Sequence, residues 1–163
     1  MTAADLQTIA EKSQFRQTGR LDEVEALAEA FARTWPEAVR SFEYGRSGEG
    51  RIMRALLVSK SGALTAAEIK KRGIPLLYLQ GGIHPGESDG KDAGLISLRD
   101  ILQGSIAPGV LDNLAVLFVP AFNADGHERF ARWNRPNQRG PEETGWRTTS
   151  RNLNLNRDYT KAD

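Results

Sequence analysis

Two runs in the chain, "IPLLYLQ" at residues 74–80 and "NLAVLFVP" at 113–120, are apolar at consecutive positions instead of alternate ones. A strand of that kind has no polar side to offer water, so it suits a sheet covered on both sides by helices. Between them, "SDGKDAGLISLRDILQG" (88–104) reads as a helix. Upstream, "LDEVEALAEAFARTW" (21–35) sets Leu21, Val24, Leu27, Ala28, Phe31 and Ala32 at helical spacing. Its acidic residues come early and Arg33 late, as the helix dipole prefers, and Pro36 stops it. "AVRSFEYG" and "RIMRALLVS" alternate apolar and polar residues about "RSGEG", which predicts a β-hairpin with a glycine turn. "TAAEIKKRG" (65–73) is a short helix with Thr65 and Glu68 spaced as a capping box. The order helix, hairpin, helix, buried strand, helix, buried strand predicts an α/β fold with a mixed β-sheet flanked by helices. No repeat or linker divides the chain, so residues 1–163 are expected to form one domain. Residues 126–163, rich in Asn, Arg, Gly and Pro, are expected to be polar loops.

A chain of 163 residues is long enough to bury roughly 70% of its unfolded surface in one core. Its 22 basic and 21 acidic residues nearly cancel, so the charge gives no reason to expect nucleic acid or an anionic membrane as partner. The expected partner is small or peptide-like. Without cysteine there is neither a disulfide nor a thiolate zinc site, and any zinc must be held by His and carboxylates. The first residues lack the basic and apolar regions of a leader, and no run approaches the ~18 apolar residues of a membrane span. This leads us to expect a cytoplasmic protein, with a mature secreted form as the exception if Met1 was added.

In a sheet of this type ligands gather beyond the carboxyl ends of the strands, where "GGIHPGES" (81–88) and "NADGHERF" (123–130) both fall. His84 and Glu87 have two readings: two ligands of one metal ion, or members of an ordinary glycine-rich turn. Imidazole and carboxylate are proper zinc ligands, and a catalytic zinc takes three protein ligands plus water, so the pair supplies two. The H-x-x-E spacing alone is weak. A second cluster, "GWRTTSRNLNLNRDY" (145–159), contains Arg147, Arg151 and Arg157 with Asn152, Asn154 and Asn156. Guanidinium forks and amides suit a carboxylate; the other reading is a surface loop.

Taken in order, "GRSGEGR", "GGIHPGE", "NADG", "GWR" and "NLNRDY" give the chain, from about residue 21 to 159, a resemblance to the zinc metallocarboxypeptidases of the M14 type. The resemblance implies Zn2+ held by His84 and Glu87, with Arg147 polarising the carbonyl of the scissile peptide bond. It implies that Asn156 and Arg157 grip the terminal carboxylate of a peptide, while Arg151 has no counterpart and is expected in the loop or at the rim. The family also requires a third histidine ligand and a glutamate base on later strands. His127 matches neither and is expected in a loop, and Glu128, Glu142 and Glu143 are expected to be solvated. The implied structure is the N-terminal half of a carboxypeptidase-like (phosphorylase/hydrolase-like) catalytic domain, truncated before the third ligand and the base. The run at 74–80 would then have an open edge, through which the chain would associate or meet a C-terminal half. Two other functions are weighed. Zinc amidohydrolases of the aspartoacylase or succinylglutamate desuccinylase type also pair H-x-x-E with Asn-Arg, although "GRSGEGR" and "NADG" favour the peptidase. A non-catalytic module could hold a carboxylate with Arg147, Asn156 and Arg157 alone.

Overall fold

The computed structural model describes residues 6–160; the ends of the 1–163 span expected as one domain lie outside the described residues. A short helix α1 (Ile9–Lys12) is followed by α2 (Leu21–Thr34), the hairpin β1 (Val39–Arg46) and β2 (Ile52–Val58), α3 (Ala66–Arg72), β3 (Leu76–Gln80), α4 (Asp89–Gln103), β4 (Ala115–Val119) and a short α5 (Ala124–Glu128). The strands form one sheet in the order β1-β2-β4-β3, with β4 antiparallel to β2 and parallel to β3. This is the expected mixed sheet. The hairpin runs in register from Val39 opposite Val58 to Arg46 opposite Ile52, with a bulge between Glu43 and Gly45.

Helices flank both faces. On one, Leu27, Ala28 and Phe31 of α2 and Leu95, Leu98 and Leu102 of α4 pack on Val39, Leu56, Val58, Val116 and Phe118. On the other, Ile69 of α3 meets Leu57, Ala63 and Ala115. The predicted cap of α3 forms, with Thr65 accepting from the Glu68 amide, and Gly73 closes the helix in the left-handed region, where a side chain would be strained. α1, with its own Thr8–Glu11 capping box, is too short to leave a periodic apolar pattern and went unpredicted.

β3 departs from expectation. Its residues were expected to be covered on both sides, but Leu76, Leu77, Tyr78 and Leu79 are 47%, 45%, 51% and 38% exposed. The reason is topological: β3 has the open edge that the resemblance implied, bonded among the described residues to β4 alone, and α4 packs over β4 and β2 instead. An apolar edge of this kind presents unpaired backbone groups on which a further strand can form.

One glycine shows how closely α4 sits on the sheet. A Cβ at Gly94, in mid-helix, would run into the Phe118 ring of β4. Alanine ordinarily favours a helix over glycine by about 1 kcal/mol. Here Gly94→Ala is expected to destabilise the fold by about 1–3 kcal/mol, because a rigid buried ring must move. Urea unfolding should show a lower midpoint; a stabilised variant would mean that α4 lies farther from β4.

Candidate metal and carboxylate site

β3 and β4 run parallel, so their carboxyl ends open on the same side and their exits stay bonded to each other. Gly81 donates to Val119, Phe122 donates to the Gly81 carbonyl at 3.0 Å and Asn123 to that of Gly82 at 3.1 Å. Glycine is needed at both positions: a Cβ on Gly81 would sit 2.7 Å from the Pro120 oxygen, and Gly82 has a φ of +66°.

The chain then turns through His84-Pro85-Gly86-Glu87. The Glu87 amide donates to the His84 carbonyl at 2.8 Å, and Pro85 presets the second position of the turn. The turn puts the first and fourth side chains on the same side, with His84 Nδ1 3.3 Å from Glu87 Oε1. His84 is buried (4% exposed) and Glu87 is 44% exposed.

The other ring nitrogen decides what this contact means. His84 Nε2 lies 2.9 Å from Asn154 Oδ1. That oxygen also accepts from the Asn156 amide at 3.1 Å, which fixes the orientation of the side-chain amide. Nε2 must therefore carry a hydrogen and donate it. In the neutral ring Nδ1 then presents a bare lone pair to a carboxylate oxygen, and two acceptors face each other. A proton on Nδ1 would resolve the conflict as an ion pair, and so would a metal cation between the two atoms; a metal-ligating histidine typically donates its other N–H to a fixed acceptor in this way. The donor set and tautomer thus fit zinc. Among the described residues no group of three or more His, Cys, Asp or Glu converges as a metal site, so the pair supplies two ligands here.

Arg147 reaches the same oxygen, its Nη1 3.7 Å from Glu87 Oε1. Its backbone is pinned by the "NADG" segment. Trp146 donates to the Gly126 carbonyl at 2.7 Å, and Asn123 Nδ2 donates to the Arg147 carbonyl at 3.4 Å. Gly126 must lack a side chain, since a Cβ would lie 2.5 Å from the Thr148 oxygen. Asp125, between them, ties in the hairpin loop. It accepts from Ser47 Oγ at 2.6 Å, Arg51 Nη1 at 2.7 Å and the Glu49 amide at 3.1 Å. Burial alone would raise its carboxyl, but these bonds and one from Ser150 outweigh it and hold it below the usual aspartate range. "GRSGEGR", "NADG" and "GWR" are thus three sides of one scaffold.

Asn156 and Arg157 lie in a 3-10 turn, Leu155–Arg157, on the exposed surface. They join the metal pair through Asn154, whose single oxygen serves both the His84 ring and the Asn156 amide. Arg151 is exposed and lines a separate cavity with Arg46, Ser47 and Asp125.

His127 is placed differently from expectation. It is buried (2% exposed) in α5, not in a loop, because the Asn123 side chain caps that helix and folds the segment inward. Burial pushes its ring down in pKa, against the raising pull of Glu128 Oε1 at 3.3 Å. Glu128 is not simply solvated either. It accepts from the Leu21 amide at 2.9 Å, capping α2, and despite a burial penalty the bonds from His127 and Leu21 keep its carboxyl low. Glu142 and Glu143 are exposed, as expected. Arg135 and Gln138 were not expected at the site, and Asn154, expected only in the carboxylate cluster, also reaches the His84 ring.

Comparison with known proteins bears on the family and the fold. The zinc carboxypeptidase family matches residues 24–162. Carboxypeptidase B of Astacus astacus is 27% identical over 107 residues, covering 65% of this chain and 32% of its own. Among solved structures, thrombin-activatable fibrinolysis inhibitor superposes with a TM-score of 0.67 at 19% identity, covering 97% of this chain and 38% of that one. A metallo-carboxypeptidase from Burkholderia cenocepacia gives 0.60 at 24% identity, covering 87% and 33%. The chain spans about a third of the length of the curated relative. With the family matched over most of its length and the fold shared with solved carboxypeptidases, this chain belongs to the zinc carboxypeptidase family.

Proposed function

We propose that the chain carries the substrate-facing part of a zinc carboxypeptidase centre, which removes C-terminal residues from peptides. The observation that carries this reading is the acceptor pair His84 Nδ1 and Glu87 Oε1, with its tautomer fixed by Asn154 and a guanidinium beside it. Zinc held there supplies a Lewis acid and a water nucleophile active at neutral pH. The remaining work falls to the chain's own groups. Arg147 donates to the peptide carbonyl oxygen and stabilises the charge that develops on it. Asn156 and Arg157 hold the free terminal carboxylate and so set which bond is presented. Among the described residues no third ligand joins the pair, and we place the third ligand and the base on further sheet added at the exposed edge of β3.

Hydrolysis of peptides with free against amidated C-termini tests the proposal. Residues 1–163 alone should show no turnover, since a missing base costs about 10²–10⁴ in rate and the metal is incompletely held. Supplied with the remaining strands, as a longer protein or a second polypeptide, the centre should cleave only the free form and lose activity to a chelator. Cleavage of acyl-amino acids in preference to peptides would favour the amidohydrolase reading. Metal-independent binding without turnover would favour a carboxylate-binding module.

A further inference from the structure

Arg135 comes from the loop after α5, far along the chain from the metal pair, yet it makes the shortest ion pair to Glu87: Nη1 to Oε1 is 3.1 Å. It does not hang there loosely. Its Nε donates to Gln138 Oε1 at 3.0 Å, and Gln138 Nε2 in turn donates to the Gly86 carbonyl at 3.0 Å. The ring closes through the chain itself, since Gly86 precedes Glu87. The arginine stem lies flat on Gly86, where a Cβ would meet its Cγ at 2.5 Å and its Cδ at 2.9 Å. Gly86 does not have a positive φ, so glycine is needed there for space and not for conformation.

A solvated arginine on a half-exposed carboxylate would swing freely and be worth little. Here both sides of the fork are committed. A guanidinium is planar with donors in fixed directions, so anchoring Nε on Gln138 sets the plane and hence the line from Nη1 to Glu87. The oxygen it holds, Oε1, is the one that faces His84 Nδ1.

We propose that Arg135, locked by Gln138, is a positioning residue that aims the Glu87 carboxylate at His84 Nδ1 and thereby sets the metal affinity of the pair. The inference rests on the zinc reading above. Partners of this kind, one step removed from the metal, typically govern affinity by about 10–100-fold. An opposite effect must be weighed: a guanidinium beside a cation site also repels the cation. Arg135→Ala removes both aim and charge, whereas Gln138→Ala releases the aim and keeps the charge.

The test is zinc titration of the 163-residue chain, followed by calorimetry and by the NMR shift of the His84 ring, with the melting temperature of each metal-free variant as a check on the fold. Arg135→Ala should weaken zinc binding by about 10–100-fold and Gln138→Ala by several-fold. Arg135→Lys should recover little, since an ammonium keeps the charge but loses the link to Gln138. Should Arg135→Ala not fold, Gln138→Ala decides the matter. Unchanged or tighter binding in Arg135→Ala, full recovery by lysine, or unaltered affinity in Gln138→Ala would each overturn the proposal. The underlying metal reading fails separately, through His84→Ala: if that variant binds zinc as the parent does, the pair is not the site and the positioning role falls with it.

Discussion

Alanine in place of Arg147 is expected to lower kcat by about 10²–10³ in the intact protein carrying all its zinc ligands. The expectation rests on preorganisation. The Arg147 backbone is held by the Gly126 carbonyl through Trp146 and by the Asn123 amide, so the guanidinium is delivered to the site before substrate arrives. At 3.7 Å from Glu87 Oε1 it is less committed than Arg135 at 3.1 Å, and at 40% side-chain exposure it is free to turn to an incoming carbonyl oxygen. A donor aimed at charge that appears only in the transition state acts on kcat and kcat/KM together, with KM little altered. The measurement is steady-state kinetics on a peptide with a free C-terminus, with zinc content determined on the same samples. A rise in KM at constant kcat would move Arg147 from the carbonyl to ground-state binding. A fall in zinc content would make it a support for Glu87 instead.

What could be read in the sequence was what local chemistry decides. α2 announced itself through the spacing of Leu27, Ala28 and Phe31, the run at 88–104 read as the helix that α4 is, and the hairpin showed through alternation about a glycine turn. His84 and Glu87 were legible for the same reason: a four-residue turn brings them together. β3 was misjudged because a continuous apolar run says that both faces are built for burial, not whether a neighbour covers them; in the described residues Leu76 to Leu79 face outward. His127 was misjudged because the capping by Asn123 that buries it is a three-residue effect hidden in a polar stretch. Arg135 and Gln138, and the bond from Asn154 to the His84 ring, were missed because these contacts join segments distant in sequence, where no periodicity operates. One signal was present: Asn154 stands two residues before Asn156, the spacing of a side chain that accepts from its own backbone.

Loss of the Arg157 guanidinium is expected to weaken the hold on a terminal carboxylate by ~2–5 kcal/mol, the usual cost of truncating one partner of a desolvated charge pair. Because Arg157 is exposed, the lower end applies, roughly a 30-fold rise in KM or in the inhibition constant of a small carboxylate ligand. Arg157→Lys should not restore it, since the ammonium lacks the planar fork. Arg151→Ala should change little, because that side chain lines the cavity beside Asp125. Zinc affinity should be unaffected in Arg157→Ala: the metal pair and the 3-10 turn meet at Asn154, whose oxygen serves His84 and the Asn156 backbone, and neither bond involves the Arg157 side chain. Inhibition by an N-acyl amino acid, compared with its C-terminal amide, across the three variants measures the effect. Equal losses from Arg151→Ala and Arg157→Ala would show that the loop acts by general positive charge. An unchanged preference for the free acid in Arg157→Ala would place the carboxylate grip on a different residue.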